Sequence, residues 1–242
     1  MGLLRRSKRV LLFEGGYQQK LKDLFGSSII GYWPGNEPSG SIAYDLSGRG
    51  FHGAYTGVTL GQPGIGDGLT CPLYDGIGDY NNVYSEGLNS AFNNAEGTIA
   101  IWAKVSGVGV WTDATARGAI SIGADGNNRV RITRTTTNNQ MSLVYAANAA
   151  FETVNVTVSS LDWMHFVLTW SVSADQVKAY YNGGQTGSTL GTLGVWAGAI
   201  AATHCVIGAS FTTSQYWDGY AAHGFILNRA ATPAEVAAAA LL

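Results

Sequence analysis

The sequence predicts an all-β protein: a two-sheet antiparallel jelly-roll β-sandwich with an N-terminal arm and a short C-terminal helix. Glycine supplies 33 of the 242 residues and proline only 5, while Trp and Tyr number 7 and 12. Segments of alternating apolar and polar residues recur about every 8–12 residues, separated by tight-turn residues. This combination is typical of many short strands around one large core, so we expect a single sandwich domain over residues 29–242.

Residues 1–28 come before the first strand pattern and differ from the rest in charge. They hold six basic and two acidic residues (+4), whereas the other 214 residues hold eight basic and fourteen acidic residues (−6). The cations nearest the start are Arg5, Arg6, Lys8 and Arg9. A short amphipathic helix is predicted within 17–25, with an apolar face made of Tyr17, Leu21, Leu24 and Phe25. Such an arm either contacts an acidic or phosphate-bearing partner or is a solvated tail.

From residue 29 onward, strand patterns alternate with turns. The first is IIGYWP (29–34), and GAYTGVTL (53–60) is a strand pair or one bent strand. In 96–106 and 162–172, every second residue is apolar, which predicts that one face of each strand enters the core. The first of these faces carries Ile99, Ile101, Ala103 and Val105. The second carries Met164, Phe166, Leu168 and Trp170.

Two local motifs mark a hairpin and the final helix. Asn182-Gly183 lies between two strand patterns and predicts a tight hairpin. In TPAEVAAAALL (232–242), Thr232 is a predicted N-cap, Pro233 occupies the first helical position and Glu235 completes a capping box.

The glycines of DLSGRGFHGAYTG (45–57) fit the dinucleotide-binding spacing G-x-G-x-x-G at Gly48, Gly50 and Gly53. That fingerprint requires a preceding strand and a following helix within a βαβ unit. Here Gly53 leads into AYTGVTL, a strand pattern. We therefore expect these glycines to permit positive φ angles or close backbone approach in a compact turn.

The two cysteines leave the disulfide state open, whereas hydropathy argues against a membrane span and a signal peptide. Cys71 and Cys205 are far apart in sequence, and two buried thiols or one disulfide both remain open. No apolar run approaches the roughly 20 residues of a membrane span. The apolar run at 10–13 is shorter than the roughly 7–15 residues of a signal peptide, so we expect neither a membrane span nor a signal peptide.

Four stretches together resemble laminin-G-like domains of the concanavalin A-like lectin/glucanase (jelly-roll) superfamily. GYWPGNEPSGSIAYDLSGRGFHGAY (31–55) is similar to the opening of those domains, and LYDGIGDYNNV (73–83) to a later strand. The other two cover EGTIAIWAKVSG with DWMHFVLTWSVSADQVKAYYNGGQTG, and WDGYAAHGFILNRAATPAEV. The resemblance spans about residues 29–240 and implies two antiparallel sheets packed face to face.

The resemblance implies a structural calcium at Asp45. Where the family pattern has Gly-x-Ile-Asp-Asp in the last strand, this sequence has Gly219-Tyr220-Ala221-Ala222-His223, so both acids are missing. Ca²⁺ prefers six to eight oxygen ligands, usually including carboxylates. Asp45 therefore either binds calcium or caps backbone amides of its loop.

The sequence favours binding over catalysis. Relatives with this fold include glycosidases with paired carboxylates on one strand, and no such arrangement is found here. Sugar rings stack on exposed aromatic side chains, and four aromatic residues lie near predicted loops: Trp111, Trp196, Tyr216 and Trp217. The alternative is that these rings cover the edges of the core.

Proteins with this fold usually act outside cells, yet we expect no signal peptide here. Virion proteins meet both conditions, and laminin-G-like domains of this style occur in phage particles. We therefore predict a non-enzymatic phage virion surface protein, such as a capsid decoration protein. Residues 1–28 would anchor it to a capsid protein or a sister subunit, and the sandwich would bind glycans. The alternatives are a free-standing lectin and, third, a glycoside hydrolase.

Overall fold

The computed structural model describes residues 16–148, 150–212 and 214–242, which form three α-helices and eighteen strands. The helices are α1 (Gly16–Phe25), α2 (Glu86–Ala91) and α3 (Pro233–Ala239), with 3₁₀ turns at Gly26–Ser28 and Val108–Trp111. The strands are β1 (Ile29–Trp33), β2 (Ile42–Ala43), β3 (Gly53–Thr56), β4 (Thr59–Pro63), β5 (Thr70–Asp75), β6 (Tyr80–Asn82), β7 (Glu96–Val105), β8 (Arg117–Gly123), β9 (Arg129–Arg134), β10 (Gln140–Ala147), β11 (Ala150–Thr157), β12 (Met164–Ser171), β13 (Gln176–Tyr181), β14 (Gly184–Leu190), β15 (Val206–Ile207), β16 (Ala209–Phe211), β17 (Ser214–Tyr216) and β18 (Asp218–Leu227).

The strands form two eight-stranded antiparallel sheets, which confirms the predicted sandwich. Sheet A has the order β14-β13-β12-β7-β18-β5-β4, and β1 pairs with the second half of β18. Sheet B has the order β11-β10-β9-β8-β15-β6-β3-β2, and β16 and β17 form a separate hairpin. The segment 53–63 forms two separate strands and not one bent strand, because β3 belongs to sheet B and β4 to sheet A.

The inner faces of the two sheets make the main core. Ile99 and Ile101 of β7 and Phe166 and Trp170 of β12 are fully buried there, as their alternation predicted. The intervening residues lie on the outer face of sheet A. Trp102 is among them, and it is also almost completely buried. Sheet A is therefore covered on both faces.

Helix α1 supplies much of that outer cover, together with α3. Tyr17, Leu21 and Phe25 are buried against the outer face of sheet A. The Tyr17 hydroxyl donates to the carbonyl oxygen of Ala239 at 2.7 Å and accepts from the Trp102 indole N–H at 2.8 Å. The predicted amphipathic helix is thus present, but residues 16–28 pack on the sandwich rather than extending from it. The cations Arg5, Arg6, Lys8 and Arg9 lie outside the described residues.

The C-terminal helix has the predicted capping box. The Thr232 side chain accepts from the Glu235 amide at 3.3 Å, and the Glu235 carboxylate accepts from the Thr232 amide at 2.7 Å. Arg229 binds the same carboxylate with two contacts of 2.6 and 2.9 Å. With ten residues, α1 is the longest described helix, and no described helix meets the length and apolarity of a membrane-spanning one.

The two cysteines are free thiols, and both are buried. Cys71 lies in the outer cluster beneath α1, whereas Cys205 lies in the core between the sheets. Burial raises the pKa of each thiol to about 12, so both remain protonated at neutral pH. This finding decides between the two alternatives in favour of separate buried thiols.

Candidate ligand-binding site

The glycine-containing loop that precedes β3 is organised by Asp45. One carboxylate oxygen of Asp45 accepts from the amides of Tyr32 and Ser47, both at 2.9 Å. The other oxygen accepts from the Ser47 hydroxyl at 2.7 Å and from the Phe51 amide at 2.9 Å. Gly48 and Gly50 adopt φ angles of 90° and 74°, which side chains disfavour. The loop then enters a strand, so it forms a compact turn and lacks the helix that a dinucleotide site requires.

The Asp45 carboxylate does not fit a calcium ligand. Both of its oxygens accept from N–H and O–H donors, and those donors occupy the positions in which a cation would have to sit. Within the described residues there is no group of three or more His, Cys, Asp or Glu side chains arranged for a metal. The geometry therefore favours the alternative in which Asp45 caps its own loop.

The same loop positions His52 beside an open pocket on the outer face of sheet B. The Asp45 amide donates to the Nδ1 atom of His52 at 3.0 Å, so the neutral ring carries its proton on Nε2. The pocket has a volume of about 410 Å³. Its lining consists of His52, Gly53, Ala54, Thr56, Tyr80, Asn82, Tyr84 and Ala202.

Strand alternation explains why these side chains face outward. On β3, Tyr55 enters the core, so its neighbours Ala54 and Thr56 face the pocket. On β6, Asn81 is buried, so Tyr80 and Asn82 take the outward positions. The two strands pair in the register Ala54 to Asn82, which sets the four outward residues side by side.

Hydrogen bonds fix the polar groups of the pocket. The Asn82 side chain donates from Nδ2 to the carbonyl of Ala202 at 3.1 Å and accepts through Oδ1 from the Tyr84 amide at 3.0 Å. The Tyr84 hydroxyl donates to Glu86 at 2.7 Å, and this bond raises the pKa of the phenol. Aromatic rings beside fixed amide and imidazole groups can stack on the apolar face of a sugar while hydrogen-bonding its hydroxyls.

Three of the four predicted carbohydrate-binding aromatics lie in the core instead. Trp111 and Trp217 are fully buried and Trp196 is nearly so. The Trp111 indole donates to the carbonyl of Ser160 at 2.9 Å, and the Trp196 ring packs on Phe92 with 5.5 Å between ring centroids. All three rings belong to the core between the sheets, so none of them presents a face to a ligand.

The fourth, Tyr216, borders the pocket. It is partly exposed, and its ring stacks on Tyr80 with 6.4 Å between centroids and 25° between planes. The alternation Tyr80-x-Asn82-x-Tyr84, flanked by the inward Asn81 and Val83, is the pattern that could have indicated the pocket from sequence. Nothing in the sequence pairs that pattern with His52 or Ala202.

Solved structures with a similar fold include an arabinanase domain, a neurotoxin binding domain and a sialidase. Domain 4 of AbnA, a GH43 extracellular arabinanase from Geobacillus stearothermophilus, was solved in complex with arabinotriose. It is 16% identical, with a TM-score of 0.64 over 88% of this chain and 98% of that one. The botulinum neurotoxin serotype D binding domain is 12% identical, with a TM-score of 0.66 over 91% of this chain and 52% of that one. Trypanosoma rangeli sialidase in complex with sialic acid is 13% identical, with a TM-score of 0.67 over 93% of this chain and 37% of that one.

These likenesses show the fold alone, and this chain spans only about half of the neurotoxin domain. No curated protein sequence matches it. The sequence model of the concanavalin A-like lectin/glucanases superfamily, in its laminin G form, matches residues 75–237, which is about two thirds of the chain. That stretch runs from the end of β5 into α3 and includes most strands of both sheets. The chain therefore belongs to the concanavalin A-like lectin/glucanases superfamily.

Proposed function

We propose that this protein is a non-enzymatic glycan-binding domain displayed on the surface of a phage particle. The observation that carries the glycan-binding part is the open pocket formed by His52, Tyr80, Asn82 and Tyr84 on the outer face of sheet B. Its rings and fixed polar groups suit a neutral saccharide. The arabinanase domain solved with arabinotriose has the same fold and supports this class of ligand.

The composition of the pocket supports binding without hydrolysis. Glycoside hydrolysis needs two carboxyl groups about 5–9.5 Å apart on either side of the scissile bond. None of the described residues that line the pocket is an acid. The nearby Glu86 is exposed and accepts the hydrogen bond of Tyr84.

The placement on a particle rests on charge. Arg5, Arg6, Lys8 and Arg9 precede a body with an excess of acidic groups. Guanidinium and ammonium groups in such a cluster make charge-assisted bonds to carboxylates or phosphates, as an anchor on a capsid protein requires. The anchored chain could also contact a second copy of itself.

A glycan array with the full chain tests the binding function. Tyr80→Ala removes the ring that would stack on the sugar, so we expect it to weaken binding of the preferred glycan at least tenfold. Tyr80→Phe keeps the ring and should bind within about threefold of the wild type. The matched control is Tyr220→Ala, which removes a partly exposed tyrosine from β18 of sheet A and should leave binding unchanged.

Two outcomes would contradict the proposal. If the wild type binds no glycan, or if Tyr80→Ala and Tyr220→Ala bind alike, the pocket is not the site. Release of shorter saccharides from the bound glycan, followed by mass spectrometry, would contradict the non-enzymatic part.

A further inference from the structure

Two arginines on the outer face of sheet B have no carboxylate within salt-bridge distance among the described residues. Arg129 and Arg131 flank Val130 on β9, and Val130 is fully buried in the core. Because side chains alternate along a strand, both arginines project from the outer face, about 7 Å apart along the backbone. β9 is an interior strand, held between β8 and β10.

Two other arginines of the same sheet are neutralised. Arg117 lies 2.6 Å from Asp113 and 3.7 Å from Asp218, and Arg134 lies 3.2 Å from Asp113. These pairs hold the end of β8 and β9 together. The guanidinium group of Arg131 forms no ion pair and no hydrogen bond in the described part of the chain. That of Arg129 lies over the ring of Phe211, with 5.7 Å between its Cζ atom and the ring centroid.

The arginine pair is recessed among buried neighbours. Across the sheet, Arg131 pairs with Ser121 and Val144, which are 0% and 5% exposed. The Nε atoms of Arg129 and Arg131 and the Oγ atom of Ser121 are enclosed without a hydrogen-bond partner in the described structure. The terminal NH₂ groups of the two partly exposed arginines are not among these enclosed atoms and form no hydrogen bond in the described structure, so they are the donors that an acceptor from outside can reach.

Electrostatics point to an anion as that acceptor. Burial, and to a smaller extent the neighbouring charge of Arg129, lower the pKa of Arg131 to about 10. Asp125 attracts Arg129, but its carboxylate accepts from the amides of Asn127 and Asn128 at 2.7 and 2.9 Å. The patch therefore keeps two like charges in a partly dry environment, where an oxyanion is bound more strongly than in water.

We propose that Arg129 and Arg131 form a second binding site, for the carboxylate or sulfate group of an acidic saccharide. The planar guanidinium forks match the geometry of both oxyanions. In the strand order, β9 lies three positions from β6, or about 14 Å from the neutral pocket on the same face. An oligosaccharide that carries an acidic unit could reach both.

Isothermal titration of the full chain with three tetrasaccharides tests the site: tetragalacturonate, a sulfated galactose tetrasaccharide and the unsulfated galactose tetrasaccharide. We expect at least one acidic probe to bind at least tenfold more tightly than the neutral one. The acidic probe that binds identifies the oxyanion. Arg131→Gln should weaken that binding at least tenfold, and Arg131→Lys should keep part of it.

The matched control is Lys178→Gln, which removes one partly buried cation from the outer face of sheet A and should leave binding unchanged. Arg129→Gln provides a second test if Arg131→Gln lowers the melting temperature. Equal affinity for acidic and neutral probes, or wild-type affinity in both Arg→Gln variants, would overturn the proposal. Because Tyr80→Ala reports on the neutral pocket separately, failure of one site is distinguishable from failure of the other.

Discussion

His165 is a titratable side chain enclosed in an apolar layer. It is fully buried on the outer face of β12, and its ring centroid lies 4.9 Å from that of Trp102. Neither of its ring nitrogens has a hydrogen-bond partner among the described residues. Burial disfavours the charged ring and His223 lies close by, so the pKa of His165 is lowered to about 3.

This shift predicts a pH-dependent loss of stability. Below the unfolded pKa of about 6.5, the unfolded chain binds a proton that the folded ring does not, so the free energy of unfolding falls as the pH drops. From pH 7 to pH 5, His165 should account for about 2 kcal/mol of that fall. We expect His165→Phe, which cannot titrate, to flatten the dependence by this amount in urea denaturation.

Glu235 does not interfere with this measurement, because its contribution to the free energy of unfolding is lost in a different pH range. Its bond to Arg229 lowers the pKa of this carboxyl to about 2, so its stabilisation is complete above pH 4.5 and is lost only below it. If the free energy of unfolding of His165→Phe falls between pH 7 and pH 5 as steeply as that of the wild type, His165 becomes charged without unfolding the protein.

At the scale of elements, α1 is the cover of the outer face of sheet A. Leu21 is completely buried there, whereas Gln19 on the same helix is exposed. We expect Leu21→Ala to lower the free energy of unfolding by about 2–5 kcal/mol, because it leaves a cavity over the sheet. Gln19→Ala should change it by less than about 0.5 kcal/mol. Similar urea midpoints for the two variants would mean that α1 does not stabilise the sandwich.

The strands and the closing helix could be predicted from sequence because their patterns are local. The alternation of Met164, Phe166 and Leu168 predicts a buried face without knowledge of any partner strand. The pocket could not be predicted in the same way. Tyr80 and His52 are brought together by the pairing of β3 with β6, and alternation does not determine the order of strands in a sheet.

Tryptophans near loops show a related limit. Trp111 lies in a 3₁₀ turn between β7 and β8, a position that favours exposure on local grounds. Only the folded chain shows that the 160s loop accepts its indole N–H and encloses the ring. Burial at the end of a sandwich depends on contacts that are distant in sequence.

At the scale of the whole molecule, the proposed anchor and the sandwich should be separable at residue 15. A chain that lacks residues 1–15 keeps α1, so we expect a melting temperature within about 2 °C of the wild type and unchanged glycan binding. It should fail to incorporate into particles, as measured by co-sedimentation. A chain that lacks residues 1–28 also loses α1 and should unfold at a markedly lower temperature.

A full-length chain with Arg5, Arg6, Lys8 and Arg9 all changed to Gln is the matched control for charge. It should be as poorly incorporated as the shortened chain if the cations make the contact. Normal incorporation of both would mean that the particle holds the sandwich itself. Absence of the wild-type chain from particles would instead favour the free-standing lectin.

The contact between α1 and α3 places the two described ends of the chain on one side of the molecule. Tyr17 bonds to Ala239 and Lys20 to the carbonyl of Leu241, so the first described helix and the last residues leave from one side, that of sheet A. The pocket and the arginine pair are on the opposite side. Attachment through Leu242 therefore points the pocket and the arginine pair away from the support, and a fusion after that residue would shield neither ligand patch.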